Sequence, residues 1–304
     1  MSIPILSIQG VSKFYTNKTA LDNISLEIPK GSIYGLLGPN GAGKTSLLRI
    51  INQITMADQG SVLFNGATLN KSHLPLIGYL PEERGLYKKQ KVWDQLLYFA
   101  ELRGLTRKQA FEKASFWLNK MALWEIRQKP LEELSKGMQQ KIQFIVACIH
   151  DPELLILDEP FSGFDPVNAE LLTKILLELK ANGTSIVFST HRMESVEQLC
   201  DHMAIIHQSK LVLDGLISNI KQQYANGRVQ VLSSKTLNLN PALYQIHTQS
   251  QDAHGQFCYS IQTQNTSNNH LIQEIINQAE LISFTPYAPS ILDIFIQLVT
   301  QNND

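Results

Sequence analysis

The sequence predicts an α/β fold, in which a doubly wound sheet carries an inserted helical subdomain and precedes a small α+β domain. Two apolar runs, "ELLILDEP" and "TSIVFSTH", are typical of parallel strands that are buried on both faces of a sheet. Other segments repeat apolar residues every three or four positions, which favours helices packed on that sheet. A glycine-rich loop, "GPNGAGKTS", lies between a predicted strand and a predicted helix, which is the arrangement of a P-loop core.

The predicted elements of the core follow in a regular order. Short alternating segments over residues 1–35 indicate strands and turns, "SLLRIINQI" a helix, and "GSVLFNG" another strand. "VWDQLLYFAELRG" and "TRKQAFEKASFWLNKMAL" predict helices, and Thr106 is the expected N-cap of the second one. "MAIIHQ" predicts a further strand. We expect this core to occupy residues 1–219, with the helical subdomain inserted at about 88–148.

The composition shifts after about residue 220, where Gln and Asn become frequent. "RVQVL", "FCYSIQT" and "LISFTPY" predict strands around a helix, "HLIQEIINQAEL". The final stretch, "PSILDIFIQLV", predicts a short amphipathic helix that covers its own domain. We therefore expect a separate accessory domain over residues 220–304.

Bulk properties narrow the class of function. Lys and Arg number 26 against 27 Asp and Glu, without a basic block, so nucleic acid is not expected as a partner. The three cysteines, Cys148, Cys200 and Cys258, lie far apart and are expected to be reduced. Neither a secretion signal nor a membrane span is expected. We expect a cytoplasmic chain whose role at a membrane, if it has one, comes through a partner.

The glycine-rich loop matches G-x-x-x-x-G-K-[ST] at every fixed position. Glycines allow successive backbone N–H groups to turn toward a phosphate, and the helix that follows adds a partial positive charge. Lys44 is expected to reach the β- and γ-phosphates, and the Thr45 hydroxyl to bind Mg²⁺. The alternative is a glycine-rich turn with a surface lysine. The nucleotide-binding residues expected from this loop are Gly38, Pro39, Asn40, Gly41, Ala42, Gly43, Lys44, Thr45 and Ser46.

Two acids, Asp158 and Glu159, end one of the apolar runs. Side chains at the carboxyl end of a strand in an open α/β sheet emerge in the crevice where ligands bind. Asp158 is expected to hold Mg²⁺, and Glu159 to orient and deprotonate the attacking water. The alternative is a solvated strand end.

A second segment, "EELSKGMQQK", places Ser135 and Gly137 just ahead of a predicted helix. Such a helix start offers a hydroxyl and free N–H groups to a phosphate. The local sequence favours an ordinary N-capped helix. Alternatively, these groups reach the γ-phosphate of a nucleotide that another copy of the chain holds.

From about residue 3 to 215 the chain resembles the ATP-binding subunits of ATP-binding cassette (ABC) transporters. "LSKGMQQ" is similar to their signature motif, usually LSGGQ, which lies between the two Walker motifs. The resemblance implies that two subunits pair head-to-tail and enclose each ATP between the phosphate loop of one and the signature of the other. This chain departs from the family at Lys136, where Gly is frequent, and at Met138, where Gln is frequent.

The same resemblance implies roles for four other residues. Tyr15 matches the aromatic residue that stacks on adenine, although a strand-edge aromatic is the alternative. Asp165, in "SGFD", matches the D-loop at the subunit interface. His191 matches the switch histidine that contacts the γ-phosphate, although such histidines are often structural. Glu82 stands at the Q-loop position, usually Gln, where its oxygen can still bind Mg²⁺.

"GYLPEERGLY" and "PSILDIFIQL" are similar to segments of the sodium-exporter and related export ATPases. This likeness implies an ATP-hydrolysing subunit, peripheral on the inner face of the cell membrane. Its implied partners are a separate multi-span permease and a second copy of itself or a homologous ATPase subunit. The alternatives are a soluble ABC ATPase acting on ribosomes or DNA, and a nucleotide-gated regulatory module. The single cassette and near-neutral charge disfavour the first, and Glu159 with His191 disfavours the second.

Overall fold

The computed structural model describes residues 3–16, 18–83 and 85–301, and the chain divides into two compact units, one ending at Leu216 and the next beginning at Ile217. Among these residues, ten strands of the first unit form two separate sheets. The strands are β1 Leu6–Tyr15, β2 Lys18–Ile28, β3 Ile33–Leu37, β4 Gln59–Phe64, β5 Ala67–Thr68, β6 Ile77–Leu80, β7 Leu154–Asp158, β8 Ser185–Thr190, β9 His202–His207 and β10 Lys210–Leu216.

In the described part of the first unit, six α-helices accompany these strands: α1 Lys44–Ile51, α2 Val92–Leu102, α3 Arg107–Lys120, α4 Lys136–Cys148, α5 Pro166–Ala181 and α6 Met193–Leu199. Short 3₁₀ helices span Lys71–Leu76, Trp124–Ile126 and Leu131–Glu133. The predicted N-cap of α3 is confirmed, since the Thr106 hydroxyl accepts a hydrogen bond from the Gln109 N–H. Ser135 caps α4 in the same way, because its hydroxyl accepts from the Met138 N–H.

The larger sheet has the strand order β10-β9-β3-β8-β7-β6. Its strands are parallel except for β10, which pairs antiparallel with β9 at one edge. Every residue of β3, β7 and β8 is buried, which explains their continuous apolar sequences. Because β8 lies between β3 and β7, the segments that follow these three strands emerge side by side. This architecture confirms the predicted α/β fold class.

The smaller sheet is antiparallel, with the order β2-β1-β4-β5. Its buried side chains form one hydrophobic cluster with residues of the larger sheet and α1, for example Leu21 and Ile24 with Leu47 and Ile156. The sheet also pairs Tyr15 with Lys18 across the β1–β2 turn. Both side chains are therefore carried by a strand pair whose inner face is anchored in the core.

Helix α4 packs closely against β6. A Cβ atom on Gly78 of β6 would lie 2.1 Å from the Ala147 carbonyl oxygen of α4, so only glycine fits at this crossing. The contact fixes the carboxyl end of α4 on the sheet, while Ser135 and Lys136 at its amino end are exposed. The helix thus presents its first turn away from the core.

The second unit contains α7 Ile217–Ala225, β11 Val229–Ser233, β12 Tyr244–Gln251, β13 Phe257–Thr263, α8 Asn268–Gln278, β14 Leu281–Pro286 and α9 Ile291–Gln301. Its sheet is antiparallel with the order β12-β13-β11-β14. Strand β12 was not predicted, since all of its side chains except Tyr244 are exposed and its sequence lacks apolar alternation. Helix α9 buries Ile291 and Ile294, as its amphipathic pattern predicts. Within the described residues, no helix combines the length and apolar character needed to cross a membrane.

Candidate functional site

A cavity of about 400 Å³ lies at the carboxyl edge of the larger sheet. It gathers side chains from β1 and β2, the glycine-rich loop, α1, and the segments that follow β6, β7 and β8. Most of the residues predicted from the sequence are therefore neighbours in space. The cavity is lined by Tyr15, Lys18, Ala20, Asn40, Gly41, Ala42, Gly43, Lys44, Thr45, Ser46, Glu82, Asp158, Glu159, Ser162 and His191.

The glycine-rich loop requires glycine at two positions, and backbone conformation and close packing are both reasons at each of them. Gly38 and Gly43 have φ values of 150° and 116°, which side chains rarely tolerate. A Cβ atom on Gly38 would lie 2.2 Å from the Ile206 carbonyl oxygen, and one on Gly43 would lie 2.2 Å from that of Ala20. The loop therefore packs against β9 at Gly38 and against β2 at Gly43, in a conformation that only glycine allows at these positions.

Lys44 is buried at the first position of α1 and turns back onto the loop. Its ammonium group donates hydrogen bonds to the carbonyl oxygens of Gly38 at 2.6 Å and Pro39 at 3.1 Å, so the two predicted loop residues outside the cavity lining hold Lys44. Burial lowers the pKa of Lys44, and the charges of Glu159 and Asp158 partly offset that effect. A buried cation facing two carboxylates is suited to bind the phosphates of a nucleotide.

Asp158 is the most buried carboxylate of the cavity, with 2% of its surface exposed. One carboxylate oxygen, Oδ1, accepts a hydrogen bond from the Ser189 hydroxyl of β8. The other, Oδ2, is buried and has no hydrogen-bond partner among the described residues. A buried unpaired carboxylate oxygen is costly unless a cation or a donor arrives. Together with the Thr45 hydroxyl and Glu82, which line the same cavity, it fits the oxygen ligands that Mg²⁺ prefers.

The described residues contain no cluster of three His, Cys, Asp or Glu side chains that could hold a metal ion by themselves. Mg²⁺ in nucleotide sites usually keeps only one or two protein carboxylates and takes further ligands from the phosphates. The set of Thr45, Asp158 and Glu82 is consistent with that mode of binding.

Glu159 directly follows β7 and has a φ of 51°, in the left-handed region. Its backbone N–H donates to the carbonyl and hydroxyl oxygens of Ser189, both at 3.2 Å, which holds this strained turn. Its carboxylate accepts from the Thr190 hydroxyl at 3.4 Å, and its Oε1 lies 2.8 Å from His191 Nδ1. The carboxylate side chain is 11% exposed and that of His191 is 53% exposed. Glu159 is therefore fixed at the cavity with oxygens that can accept a proton.

Tyr15 stands at the entrance of the cavity with 46% of its surface exposed. The Lys13 ammonium lies 5.6 Å from the centroid of the Tyr15 ring, and Asp58 holds that ammonium at 2.9 Å. Asp58 also accepts from the Phe14 N–H at 2.6 Å, which lowers the pKa of its carboxyl. An exposed ring supported in this way can stack on a nucleobase.

Glu82 follows β6 in an exposed position, and the backbone on either side of it is held by α4. The Gln143 amide donates to the carbonyl oxygens of Pro81 at 3.2 Å and Glu83 at 3.0 Å. A second cavity, of about 270 Å³, shares Glu82 and the acid pair with the first. It is lined by Leu80, Pro81, Glu82, Lys136, Gln140, Gln143, Asp158, Glu159, Ser162 and Gly163.

The structure does not bring Ser135 and Gly137 into either of these cavities. Both lie at the start of α4, where Ser135 is exposed and Gly137 is half-buried, and a Cβ atom on Gly137 would meet only the Asn168 amide, at 3.9 Å. Asp165 caps α5 by accepting from the Asn168 N–H at 2.9 Å, and this bond lowers the pKa of the Asp165 carboxyl. Ser135 and Gly137 thus lie outside the nucleotide cavity of their own chain, although Lys136 between them lines the second cavity.

Sequence reasoning missed three residues that organise the site. Lys18 lines the cavity, Ser189 binds both acids, and Gln143 holds the loop that contains Glu82. Ser189 could have been found from its position two residues before His191 in "FSTH". Lys18 could have been found because it follows Tyr15 by only three residues in the sequence. Nothing in the sequence pattern indicates the contact of Gln143.

Comparisons with known proteins bear on what binds in this cavity. The family model for ABC transporters matches residues 21–162, and the model for the C-terminal domain of DrrA1-3-like ATP-binding proteins matches residues 215–299. YhaQ, an uncharacterized ABC transporter ATP-binding protein of Bacillus subtilis (strain 168), is 42% identical over 299 residues, which cover 97% of this chain and 98% of that protein. This chain belongs to the ABC transporter ATP-binding proteins.

Other members of the ABC transporter family extend the comparison. The lantibiotic transport ATP-binding protein SrtF of Streptococcus pyogenes is 34% identical over 210 residues, which cover 69% of this chain and 90% of that protein. A solved ATP-binding subunit of an ABC transporter superimposes with a TM-score of 0.68 at 28% identity, covering 72% of this chain and 93% of the other. The resemblance drawn from the motifs is thus confirmed, and ATP is the nucleotide that this family binds. The roles of individual side chains stay predictions.

Proposed function

We propose that this ABC subunit hydrolyses ATP at two composite sites formed by a pair of subunits, and that the pair drives a separate export permease. The observation that carries the proposal is the separation of the two phosphate-binding segments within one chain. The glycine-rich loop lines the cavity, whereas Ser135 and Gly137 lie outside it at the start of α4, where Ser135 is exposed and Gly137 is half-buried. A helix start that is open to solvent, with a hydroxyl and N–H groups, can reach a phosphate held by a second copy.

In the proposed site, ATP lies with its adenine on Tyr15 and its β- and γ-phosphates in the glycine-rich loop. Lys44 balances phosphate charge from a buried position, where electrostatic interactions are stronger than in water. Thr45, Asp158 and Glu82 would hold Mg²⁺, which neutralises negative charge on the phosphates when bound. The orphaned Oδ2 of Asp158 supports this assignment.

Glu159 acts as the general base on the attacking water. The water oxygen bonds to the γ-phosphorus, the bond from that phosphorus to the bridging oxygen of ADP breaks, and Glu159 takes the proton that the water loses. The fixed backbone of Glu159 and its contact with Thr190 orient the carboxylate before the water arrives. His191, beside Glu159 and half-exposed, is placed to contact the γ-phosphate and to steady the base.

Pairing couples this chemistry to movement. A γ-phosphate that touches Ser135 and the α4 start of the second subunit gives ATP a higher affinity for the closed pair than for separate subunits. Such a difference in affinity is what allows a ligand to shift a conformational equilibrium. Hydrolysis removes the shared phosphate, so the pair reopens, and Asp165 lies at the proposed interface.

Mixing two inactive variants tests the composite site directly. We expect that Lys44→Ala and Gly137→Ala subunits each lose at least about nine-tenths of their ATPase activity, and that an equimolar mixture regains activity. Half of the pairs would be mixed, and one of their two sites would be intact, so the mixture should reach about a quarter of the parental rate. If each chain contained its whole site, every site in the mixture would carry a defect and no activity would return. That result would contradict the proposal.

Export through a separate permease is supported by the relative SrtF, which is named a lantibiotic transport protein, and by the export-type motifs of this chain. A location on the inner face of the cell membrane follows from such a partner. The test is to isolate the tagged chain from mildly solubilised membranes with ATP and Mg²⁺. A stoichiometric multi-span protein is expected, whereas ribosomal proteins or nucleic acid would contradict the transport role.

A further inference from the structure

Lys18 lines the nucleotide cavity although no motif contains it. It begins β2, and its backbone pairs with that of Tyr15 at the end of β1. Its ammonium group donates to the Gly41 carbonyl oxygen at 3.1 Å and would lie 3.3 Å from a Cβ atom on Gly41. Lys18 therefore links β2, the strand paired with the one that carries the aromatic ring, to the middle of the phosphate loop.

The charge of Lys18 is not used by the fold. Lys18 is exposed and makes no ion pair with any side chain that the structure describes. Within the described residues, the side chain of Lys18 donates one hydrogen bond, to a neutral carbonyl, and an uncharged donor could make the same bond. Glu82, Asp158 and Glu159 also line this cavity, but none of them forms an ion pair with Lys18. The positive charge of Lys18 is therefore available to attract an anionic ligand that enters the cavity.

The position of Lys18 specifies which part of the ligand it meets. Tyr15 and Lys18 are direct cross-strand neighbours, so the two side chains flank the same end of the cavity. Lys44, by contrast, contacts the start of the loop at Gly38 and Pro39, on the side where Asp158 and Glu159 lie. Between a base on Tyr15 and terminal phosphates at Lys44, the group nearest Lys18 is the first phosphate after the ribose.

We propose that Lys18 is a nucleotide-binding residue that recognises the α-phosphate, the group that ATP and ADP share. This inference rests on the proposed ATP site and adds a second cation to it. Lys18 then retains both the substrate and the product of hydrolysis, while Lys44 acts on the phosphates nearer the reaction. Lys18 is a binding residue rather than a catalytic one, since the proposed general base, Glu159, lies on the Lys44 side of the cavity.

The test is a charge series at one position in the full chain: Lys18→Arg, Lys18→Gln and Lys18→Glu, with Lys30→Gln as a charge-matched control. Lys30 is an exposed lysine between β2 and β3 that does not line the cavity. Dissociation constants for ATP and ADP would be measured by calorimetry at low and high salt. Thermal unfolding without nucleotide would show whether each variant is folded.

We expect Lys18→Gln to weaken ATP and ADP binding by the same factor, about three- to tenfold at low salt, and less at high salt. Lys18→Glu should weaken both further, and Lys18→Arg should stay within about twofold of the parent. In ATPase assays the KM of Lys18→Gln should rise while the rate at saturating ATP changes less than about twofold.

Three outcomes would overturn the assignment. Parental binding in Lys18→Gln together with a loss in Lys18→Glu would mean that the lysine only tethers the Gly41 carbonyl, because Gln can donate that hydrogen bond and ionised Glu cannot. A loss for ATP without a loss for ADP would place the contact at the γ-phosphate. No difference from Lys30→Gln would remove Lys18 from the site. If the parental chain binds neither nucleotide, or Lys44→Ala binds both as the parent does, the failure lies in the proposed ATP site itself.

Discussion

The nucleotide cavity and the signature segment, residues 134–138, differ in how far their own chain dictates their residues. In the cavity, Gly43 is required because a Cβ atom would collide with a backbone carbonyl, and Lys44 is buried against the loop. In the signature segment, Ser135 is exposed and Gly137 has room for a side chain. The cavity residues are thus explained within one chain. The glycine of the signature segment is not explained by packing within the described part of the chain, and the proposed contact with a second subunit would account for it.

The largest expected effect tests whether one carboxylate of the cavity performs the chemistry. Glu159→Gln keeps the side-chain shape and removes the base, so the hydrolysis rate should fall by about 10²–10³-fold while ATP binding is retained. Phosphate release and nucleotide binding would be measured on the same preparation. The control is Glu153→Gln, an exposed acid directly before β7, which should keep the parental rate. A Glu159→Gln variant that hydrolyses ATP like the parent would rule out Glu159 as the base.

Within the cavity, the packing of the loop predicts a loss of stability. Gly43→Ala combines a φ of 116° with a collision at 2.2 Å, and should lower the free energy of unfolding by about 2–4 kcal/mol. Gly183→Ala is the matched control, since Gly183 also has a positive φ, 95°, but nothing within 4 Å of its Cβ position. Chemical denaturation of the two variants would separate collision from backbone strain. Equal losses would show that the collision relaxes freely.

The signature segment should respond in the opposite way. Gly137→Ala should change the free energy of unfolding by less than about 1 kcal/mol, because the added methyl group would meet only the Asn168 amide, at 3.9 Å, and Ala favours helices. Its hydrolysis rate should nevertheless fall at least about tenfold, since a second subunit's phosphate would approach this turn closely. Chemical denaturation would measure the stability of the variant, and phosphate release would measure its hydrolysis rate. A stable variant with parental activity would remove Gly137 from the site.

The smallest expected effect concerns His150, which follows the buried carboxyl end of α4. Burial, with a smaller contribution from the Arg103 charge, lowers the pKa of His150 to about 4. The unfolded chain therefore binds a proton more readily than the folded chain between pH 6.5 and 4. His150 contributes its stability above pH 6.5, and the contribution is lost as the pH falls toward 4, by about 1–2 kcal/mol.

Replacing His150 with Gln should flatten the decrease in unfolding free energy over that pH interval. Unfolding would be followed at pH 7, 5.5 and 4.5 in the parent and in His150→Gln. The exposed residue His254 supplies the control, since His254→Gln should keep the parental pH dependence. An unchanged slope in His150→Gln would show that His150 is not held neutral at the carboxyl end of α4.

Local patterns in the sequence predicted most elements of the ATPase unit. Continuous apolar runs indicated β7 and β8, Thr106 marked the start of α3, and the fixed positions of the glycine-rich loop indicated the phosphate site. Strand β12 was missed because it is an edge strand with little buried surface, so burial leaves no pattern in its sequence. Prediction from sequence therefore succeeded where the burial or the capping of a single helix or strand determines the pattern of its residues.

The sequence by itself determined which groups are available: glycines that permit a phosphate loop, a lysine to follow it, and acids at the end of a buried strand. The tertiary structure decided which of them meet. The parallel order β3-β8-β7 places the loop, the acid pair and His191 at one edge, and the β1–β2 pairing adds Tyr15 and Lys18. The start of α4 is left outside that cavity, because the packing of its other end on β6 fixes where the helix points. Such contacts join residues far apart in the chain, so no local pattern records them.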